Sequence, residues 1–124
     1  MANEFKEKGI SFIAISSNDI KNYPEDNPEK MSQTVIKEKY TFPYLFDETQ
    51  EVAIEYDAAC TPDFYIFDKN KKLIYRGQMD DSRPGNKIPV TGKDIRNVFD
   101  CVLTSKKINL TQKPSIGCNI KWKN

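Results

Sequence analysis

The hydrophobic positions of the chain form short apolar runs, separated by segments that are apolar on one side only. The runs at residues 10–16 and 64–67 are almost continuously apolar, which predicts strands buried on both faces, as in the sheets of α/β proteins. A shorter run at residues 41–46 contains Pro43, which cannot donate to a sheet ladder and therefore indicates an edge strand. Alternating side chains over residues 72–79 predict an antiparallel strand with one exposed face.

Helices are predicted in four segments that carry terminal signals. The segments are about residues 2–8, 28–40, 48–56 and 92–103. The first ends at Gly9, which suits the left-handed position after a helix. The second has Asn27 as its cap and Pro28 in its first turn. The third opens with Asp47 and Gln50, which resemble a capping pair.

The last helix and two turns have the most specific local signals. Thr91 and Asp94 form a capping box ahead of an apolar stripe with helical spacing. The stripe consists of Ile95, Val98, Phe99, Val102 and Leu103. Residues 68–71 predict a hairpin turn with Asn70 at positive φ, and Pro84-Gly85 predicts a type II turn. The order of elements is that of an α/β protein.

Length and charge restrict the class of protein. The 124 residues suit one domain, here residues 1–104, followed by a C-terminal tail at residues 105–124 that has no periodicity. Lys and Arg number 19 against 18 Asp and Glu, so we expect neither a nucleic-acid partner nor an anionic membrane surface. No apolar run approaches the ~20 residues of a membrane span, and charged residues interrupt any signal peptide. Cytoplasm is the predicted location.

The cysteine and histidine counts restrict the chemistry. The cysteines are Cys60, Cys101 and Cys118, without a Cys-x-x-Cys pair, and there is no histidine. Ser-His and Cys-His nucleophile pairs are therefore excluded, and three separated cysteines make a poor zinc site. The acidic loop at residues 80–86 lacks the spaced ligands of a calcium loop and is predicted as a solvated turn. We predict no metal and no cofactor, which leaves thiol redox chemistry as the class of catalysis.

The cysteine at the mouth of the second apolar run is the candidate nucleophile. Cys60 precedes Thr61 and Pro62, and the strand follows. Two interpretations of Cys60 stay open: a reactive thiol, and a small half-buried residue at a strand start. Arg76 or Arg83 are the cations that the fold would bring close to it. Cys101 lies off the apolar stripe of its helix and is predicted to be inert.

Six segments of the chain resemble the alkyl hydroperoxide reductase/thiol-specific antioxidant family, a peroxiredoxin-like branch of the thioredoxin superfamily. They are residues 14–19, 42–51, 60–64, 75–77, 80–86 and 114–122. The most specific are Asp80-Asp-Ser-Arg-Pro-Gly-Asn86 and Pro114-Ser-Ile-Gly-Cys-Asn-Ile-Lys-Trp122. The resemblance implies a thioredoxin-like three-layer fold, with Pro62 as the cis-proline that faces the redox centre.

The same resemblance supplies the expected roles of the site residues. Cys60 is the candidate catalytic thiol, while Thr61 and Pro62 position the substrate backbone. Cys118 is a candidate second thiol, and a disulfide between Cys60 and Cys118 stays open. In the family, the redox cysteines lie on a strand and helix that this sequence does not contain. We therefore expect a fold that is incomplete at its N-terminus, as in a fragment of a longer protein, without the central cysteine-bearing strand.

Two functions follow. The first is a thiol-disulfide oxidoreductase or peroxiredoxin-like antioxidant protein that acts on a thiol/disulfide protein or a peroxide. As this chain, it is expected to be inactive or weakly active because the main redox cysteines are missing. The second is a non-catalytic thioredoxin-fold interaction module that completes its sheet with a partner or with a second copy, as a homodimer.

Overall fold

The computed structural model describes residues 1–108 and 112–124 and contains both helices and strands. In chain order the elements are α1 Ala2–Lys6, β1 Ala14–Ser16, a 3-10 turn at Pro24–Asp26, α2 Pro28–Lys37, β2 Tyr44–Phe46, α3 Glu51–Glu55, β3 Phe64–Phe67, β4 Leu73–Gly77 and α4 Lys93–Leu103. The chain divides into two compact units. The first is Met1–Ala59 with Asn119–Asn124, and the second is Cys60–Cys118. Among the described residues, no helix is long and apolar enough to cross a membrane.

The first unit contains a parallel pair of strands. β1 pairs with β2 in the register Ala14 to Tyr44, and the carbonyl of Pro43 accepts a hydrogen bond from the Ala14 amide at 3.0 Å. The strand predicted over residues 10–16 is therefore shorter than expected. Ile15 is also 43% exposed, so burial on both faces was wrong. The reason is that, within the described part of the chain, β1 and β2 form a two-stranded sheet, and α2 packs against β2.

Helices α1 and α2 follow their terminal signals. Gly9 has φ +93° after α1, and Phe5 is the buried side chain of that helix. The Asn27 side chain accepts a hydrogen bond from the Lys30 amide at 2.8 Å, as expected of an N-cap. α2 ends before the predicted residue 40 because Lys39 adopts φ +55°, outside the helical region.

Helix α3 is capped by only one member of its predicted pair. The Asp47 carboxylate accepts hydrogen bonds from the amides of Val52 and Ala53, at 3.3 and 3.0 Å. Gln50 does not complete the pair. Its side-chain amide donates instead to the carbonyls of Ser17 and Lys121, at 2.6 and 3.0 Å. These bonds hold the last residues of the chain within the first unit.

The second unit is organised around an antiparallel hairpin. β3 pairs with β4 in the register Phe64 to Gly77, with an irregularity after Ile66. In the turn, Lys71 and not Asn70 has positive φ, at +63°. The Asn70 amide donates to the Asp68 carboxylate at 2.8 Å, which builds a side-chain turn and moves the left-handed position one residue on.

The N-terminus of α4 differs from the predicted capping box. Gly92 is the N-cap, with φ +70°, and Asp94 does not reach back to it. Asp80 supplies the cap instead, because its carboxylate accepts hydrogen bonds from the amides of Thr91 and Gly92 at 2.9 and 2.7 Å. The Asp94 carboxylate accepts a bond from the Gln78 side chain at 2.6 Å. The Thr91 hydroxyl accepts only a longer bond, from the Lys93 amide at 3.3 Å, so the main capping carboxylate comes from a preceding loop.

The loop at residues 80–86 is therefore more than a solvated turn. Asp80 is only 3% exposed, and it also accepts hydrogen bonds from the amide and hydroxyl of Ser82. The type II turn at Pro84-Gly85 is confirmed, since Gly85 has φ +83° and the Asn86 amide donates to the Arg83 carbonyl at 3.2 Å. This loop joins β4 to α4 through a buried carboxylate.

The acid dependence of stability tests this cap. Burial by itself would raise the pKa of Asp80, but the hydrogen bonds from Ser82, Gly92 and Thr91 together outweigh it and hold that pKa below its usual value. The stabilisation is complete above the unfolded-state pKa of about 3.9 and is lost as the pH falls through the lower folded-state pKa. We expect Asp80→Asn to lower the free energy of unfolding by about 1–3 kcal/mol at neutral pH.

Urea unfolding from pH 7 down to about pH 2 measures the effect, because this range extends below the unfolded-state pKa of the carboxyl group. Asp80→Asn should also flatten the acid limb of the stability profile, because it removes the titrating group. Asp100→Asn is the matched control on the exposed side of α4 and should change neither quantity. If the free energy of unfolding falls as steeply with decreasing pH in the Asp80 variant as in the wild-type protein, Asp80 is not the capping carboxylate of α4.

Candidate functional site

The candidate site is the turn that leads into β3. Cys60 is half-buried, whereas the side chains of Thr61 and Pro62 are exposed. The peptide bond between Thr61 and Pro62 is cis. β3 begins at Phe64, so Pro62 lies before the strand and outside its hydrogen-bond ladder. The turn thus presents a thiol and an exposed proline side by side.

The structure brings Cys118 to this turn through its backbone. Thr61 and Cys118 form an antiparallel bridge, in which the Thr61 amide donates to the Cys118 carbonyl at 2.8 Å and the Cys118 amide donates to the Thr61 carbonyl at 3.1 Å. Side chains directly opposite in such a pair share a face, and successive side chains alternate. The chain bends at Cys60, outside this single bridge, so that alternation does not set the direction of the Cys60 thiol relative to Cys118. Both are free thiols, so the disulfide left open by the sequence is not formed.

Gly117 allows this close backbone approach. A Cβ at that position would lie 2.9 Å from the Thr61 carbonyl carbon and closer still to its oxygen. Real Cβ atoms do not come so near, so only glycine fits without a shift of the backbone. Sequence reasoning singled out Cys118 and overlooked this neighbour. The signal was a glycine beside the cysteine in an otherwise irregular segment.

The Cys60 thiol is covered by the same segment. Its sulfur lies 3.5 Å from the carbonyl oxygens of Ser115 and Pro62, both of which accept from the S–H group. Ser115 is itself fixed, because its hydroxyl donates to the Gly77 carbonyl at 2.6 Å. These contacts favour the protonated thiol as a donor.

The charges around the thiol act in the same direction. Burial raises the pKa of Cys60, and the Asp63 carboxylate raises it further. Arg76 and the Gly117 amide lower it by less. The net shift is upward, so at neutral pH Cys60 is less ionised than an ordinary cysteine and is a weaker nucleophile. Asp63 was overlooked in the sequence, although it directly follows Pro62.

The two arginines expected near Cys60 have different positions. Arg76 forms an ion pair with Asp63 at 3.2 Å, and its guanidinium lies 5.1 Å from the centre of the Tyr65 ring. Arg83 donates instead to the Gln78 side chain at 2.5 Å and to nearby carbonyls of its own loop. The cation that acts on the thiol is therefore Arg76, and it is shared with Asp63.

The remaining predicted features do not join the turn. Cys101 lies on α4 with its sulfur 3.8 Å from the Asn97 side-chain oxygen. Within residues 1–108 and 112–124, no group of three or more His, Cys, Asp or Glu side chains has the geometry to hold a metal ion. The described chemistry of the site is therefore one thiol, one ion pair and a bridged backbone.

Two charge substitutions with opposite expected effects test the electrostatics of Cys60. In a Cys101→Ser, Cys118→Ser background, alkylation by iodoacetamide follows the Cys60 thiolate alone. Asp63→Asn removes a negative charge and should lower the pKa of Cys60, which speeds alkylation at neutral pH. Arg76→Gln removes a positive charge and should raise the pKa and slow the reaction.

The pH dependence of the alkylation rate measures both shifts against the background protein. In the background protein, the midpoint of the rate–pH curve should lie above the pKa of an ordinary cysteine. Shifts of the same sign in the two variants would show that packing, and not charge, controls the thiol.

Comparison with known proteins places this geometry in a family. A family model described as the AhpC/TSA family matches residues 1–76, which include the Cys60 turn. Two solved structures are similar to the chain with TM-scores of 0.96. One is an uncharacterized conserved protein from Geobacillus kaustophilus at 61% identity, and the other is a hypothetical protein from Sinorhizobium meliloti 1021 at 48% identity.

Both likenesses extend over nearly the whole chain. They cover 98% of this chain, but 65% of the Geobacillus chain and 67% of the Sinorhizobium chain. The chain thus spans about two thirds of the length of these relatives. Comparison with curated proteins found no match. The predicted α/β, thioredoxin-like fold class is confirmed, and the chain belongs to the AhpC/TSA family of thioredoxin-like proteins.

Proposed function

We propose that the protein is a thiol-dependent oxidoreductase of the peroxiredoxin-like type, with weak activity in the form of this chain. The observation that carries the proposal is the match of the AhpC/TSA model across residues 1–76, which contain Cys60, Thr61 and Pro62. Three free cysteines also suit a reducing compartment such as the cytoplasm.

In this proposal Cys60 supplies the reacting sulfur. Its thiolate attacks one oxygen of a hydroperoxide, so that an S–O bond forms, the O–O bond breaks, and the leaving oxygen takes up a proton. The cysteine becomes a sulfenic acid. A second thiol, supplied by an external dithiol, then attacks the sulfenic sulfur and releases water, and a further thiol reduces the resulting disulfide. Thr61 and Pro62 form the surface on which the substrate lies.

The geometry explains why the expected activity is weak. The raised pKa leaves only a small thiolate fraction of Cys60 at neutral pH. Cys118 is bridged to Thr61 through its backbone, but no disulfide joins its sulfur to Cys60, so the proposed reaction takes its second thiol from an external dithiol. The 124-residue chain contains no Cys-x-x-Cys pair that would replace it.

An assay of hydrogen peroxide reduction with dithiothreitol as the electron donor tests the proposal. We expect slow turnover that increases with pH as Cys60 ionises. Cys60→Ser should abolish it, whereas the matched Cys101→Ser variant should retain it. Fast turnover at neutral pH contradicts the expected weakness, and undiminished turnover in Cys60→Ser contradicts the role of that thiol.

A second candidate is a non-catalytic module that pairs with another copy of itself. The observation in its favour is a cluster of exposed apolar side chains on and beside β1 and β2. Ile13, Ile15 and Leu45 are 64%, 43% and 49% exposed, and Ile15 lies opposite Leu45 in the sheet. Contiguous apolar surface of this kind favours association.

Light scattering across a concentration series distinguishes this candidate from the first. A self-associating module should form a dimer that Ile15→Lys disrupts, because a buried unpaired charge opposes association. Ile36→Lys, on an exposed position of α2, is the matched control and should leave the dimer intact. A monomer at all concentrations would exclude the second candidate.

A further inference from the structure

Residues 115–118 lie against the Cys60 turn and pair with it through one antiparallel bridge, at Cys118. The amide and carbonyl of Thr61 are both hydrogen-bonded to Cys118, at 2.8 and 3.1 Å. Pro62, the next residue, has no amide hydrogen. An extended polypeptide that docks on a strand edge needs such backbone groups for its own hydrogen bonds. At Thr61, the backbone of Cys118 already occupies the hydrogen-bonding groups that such a peptide would use.

This segment is fixed at its start as well as at the bridge. The Gln78 amide donates to the Lys113 carbonyl at 2.9 Å, directly beyond the end of β4. The Ser115 hydroxyl donates to the Gly77 carbonyl at 2.6 Å. The segment is therefore anchored to the hairpin before it reaches Thr61. Its displacement from Thr61 would also strain these hydrogen bonds at the end of β4.

The segment covers the backbone of the turn but leaves its side chains accessible. Gly117 comes so near the Thr61 carbonyl that no side chain fits between them. The side chains of Thr61 and Pro62 nevertheless remain exposed, and Cys60 is only half-buried. A small molecule can reach this surface, whereas a polypeptide lacks a free strand edge.

We propose that residues 115–118 act as an internal strap that occupies the strand edge at Thr61 and restricts the site to small substrates. The accepted class is a hydroperoxide or a low-molecular-weight disulfide. A polypeptide disulfide reacts only when the strap leaves. This proposal rests on the proposed function, since it names the substrate class of the same turn.

The first test measures the strap without any assay of activity. In the wild-type protein, hydrogen exchange should be slow at the amides of Thr61 and Cys118. Gly117→Ala forces the two backbones apart, and we expect exchange at both amides to rise about 5- to 150-fold, the range given by overpacking strain. Ile116→Ala is the matched control, because Ile116 is exposed in the same segment and its truncation adds no atom. It should leave exchange unchanged.

The amides of β3 and β4 separate opening of the strap from unfolding of the unit. They should stay protected in the Gly117 variant. Ser115→Ala is a second, milder variant, which removes the bond to Gly77 and adds no steric strain. If exchange at Thr61 is fast in the wild-type protein, or is unchanged in both variants, the strap is not a formed and releasable element and the proposal is overturned.

The second test compares two disulfide probes on Cys60 in the Cys101→Ser, Cys118→Ser background. The Cys60 thiolate attacks one sulfur of the probe, a mixed disulfide forms, and the probe's other half leaves as a thiolate. The probes are 5,5′-dithiobis(2-nitrobenzoate) and a ten-residue peptide disulfide. We expect the wild-type strap to favour the small probe, and Gly117→Ala to accelerate the peptide reaction more than the small one.

The outcomes separate this proposal from the proposed function. An unchanged ratio of the two rates, despite faster exchange at Thr61, overturns the strap as a determinant of substrate size and leaves the peroxide assays unaffected. A changed ratio in a protein that fails to reduce peroxide supports the strap and removes the proposed function. A changed ratio together with slow peroxide turnover supports both.

Discussion

The backbone bridge between Thr61 and Cys118 is the contact on which the candidate site depends. It fixes the turn before β3, places the backbone of Cys118 beside Thr61, and brings the Ser115 carbonyl within 3.5 Å of the Cys60 sulfur. A single pair of backbone hydrogen bonds contributes only about 0.5–1.5 kcal/mol per bond to stability. Its effect on the site is larger, because the Ser115 contact with the Cys60 sulfur and the close approach of Gly117 to Thr61 both need these two backbones side by side.

The charges near Cys60 and the segment that covers its sulfur affect the thiol in different ways. Burial and the Asp63 carboxylate disfavour the thiolate, whereas the Ser115 carbonyl covers the sulfur and accepts a hydrogen bond from its S–H group. The ion pair of Asp63 with Arg76 limits the first effect, since the guanidinium partly offsets the carboxylate that it binds. The thiolate fraction of Cys60 therefore depends first on its burial and then on the charges of Asp63 and Arg76.

Local signals in the sequence predicted local structure well, and failed where a distant residue competed. Asn27 caps α2 as expected, because its partner is three residues away. Thr91 and Asp94 carry the same kind of signal, yet Asp80 takes the cap of α4 from a loop eleven residues earlier. The family motif pointed to Cys60, Pro62 and Cys118. No spacing rule, however, predicts that Gly117 meets Thr61, since that contact joins segments more than fifty residues apart.

The roles of the turn and of its cysteine are separable. Pro62 and Thr61 keep their exposed side chains whether or not Cys60 is ionised, because their positions follow from the backbone bridge and not from charge. A protonated, half-buried thiol is a weak nucleophile, whereas the side chains of Thr61 and Pro62 beside it remain exposed. Under the proposed function, the turn is therefore better suited to hold a substrate than to attack it. An efficient reaction on this surface requires a thiolate that is stabilised more strongly than Cys60 is by its own neighbours.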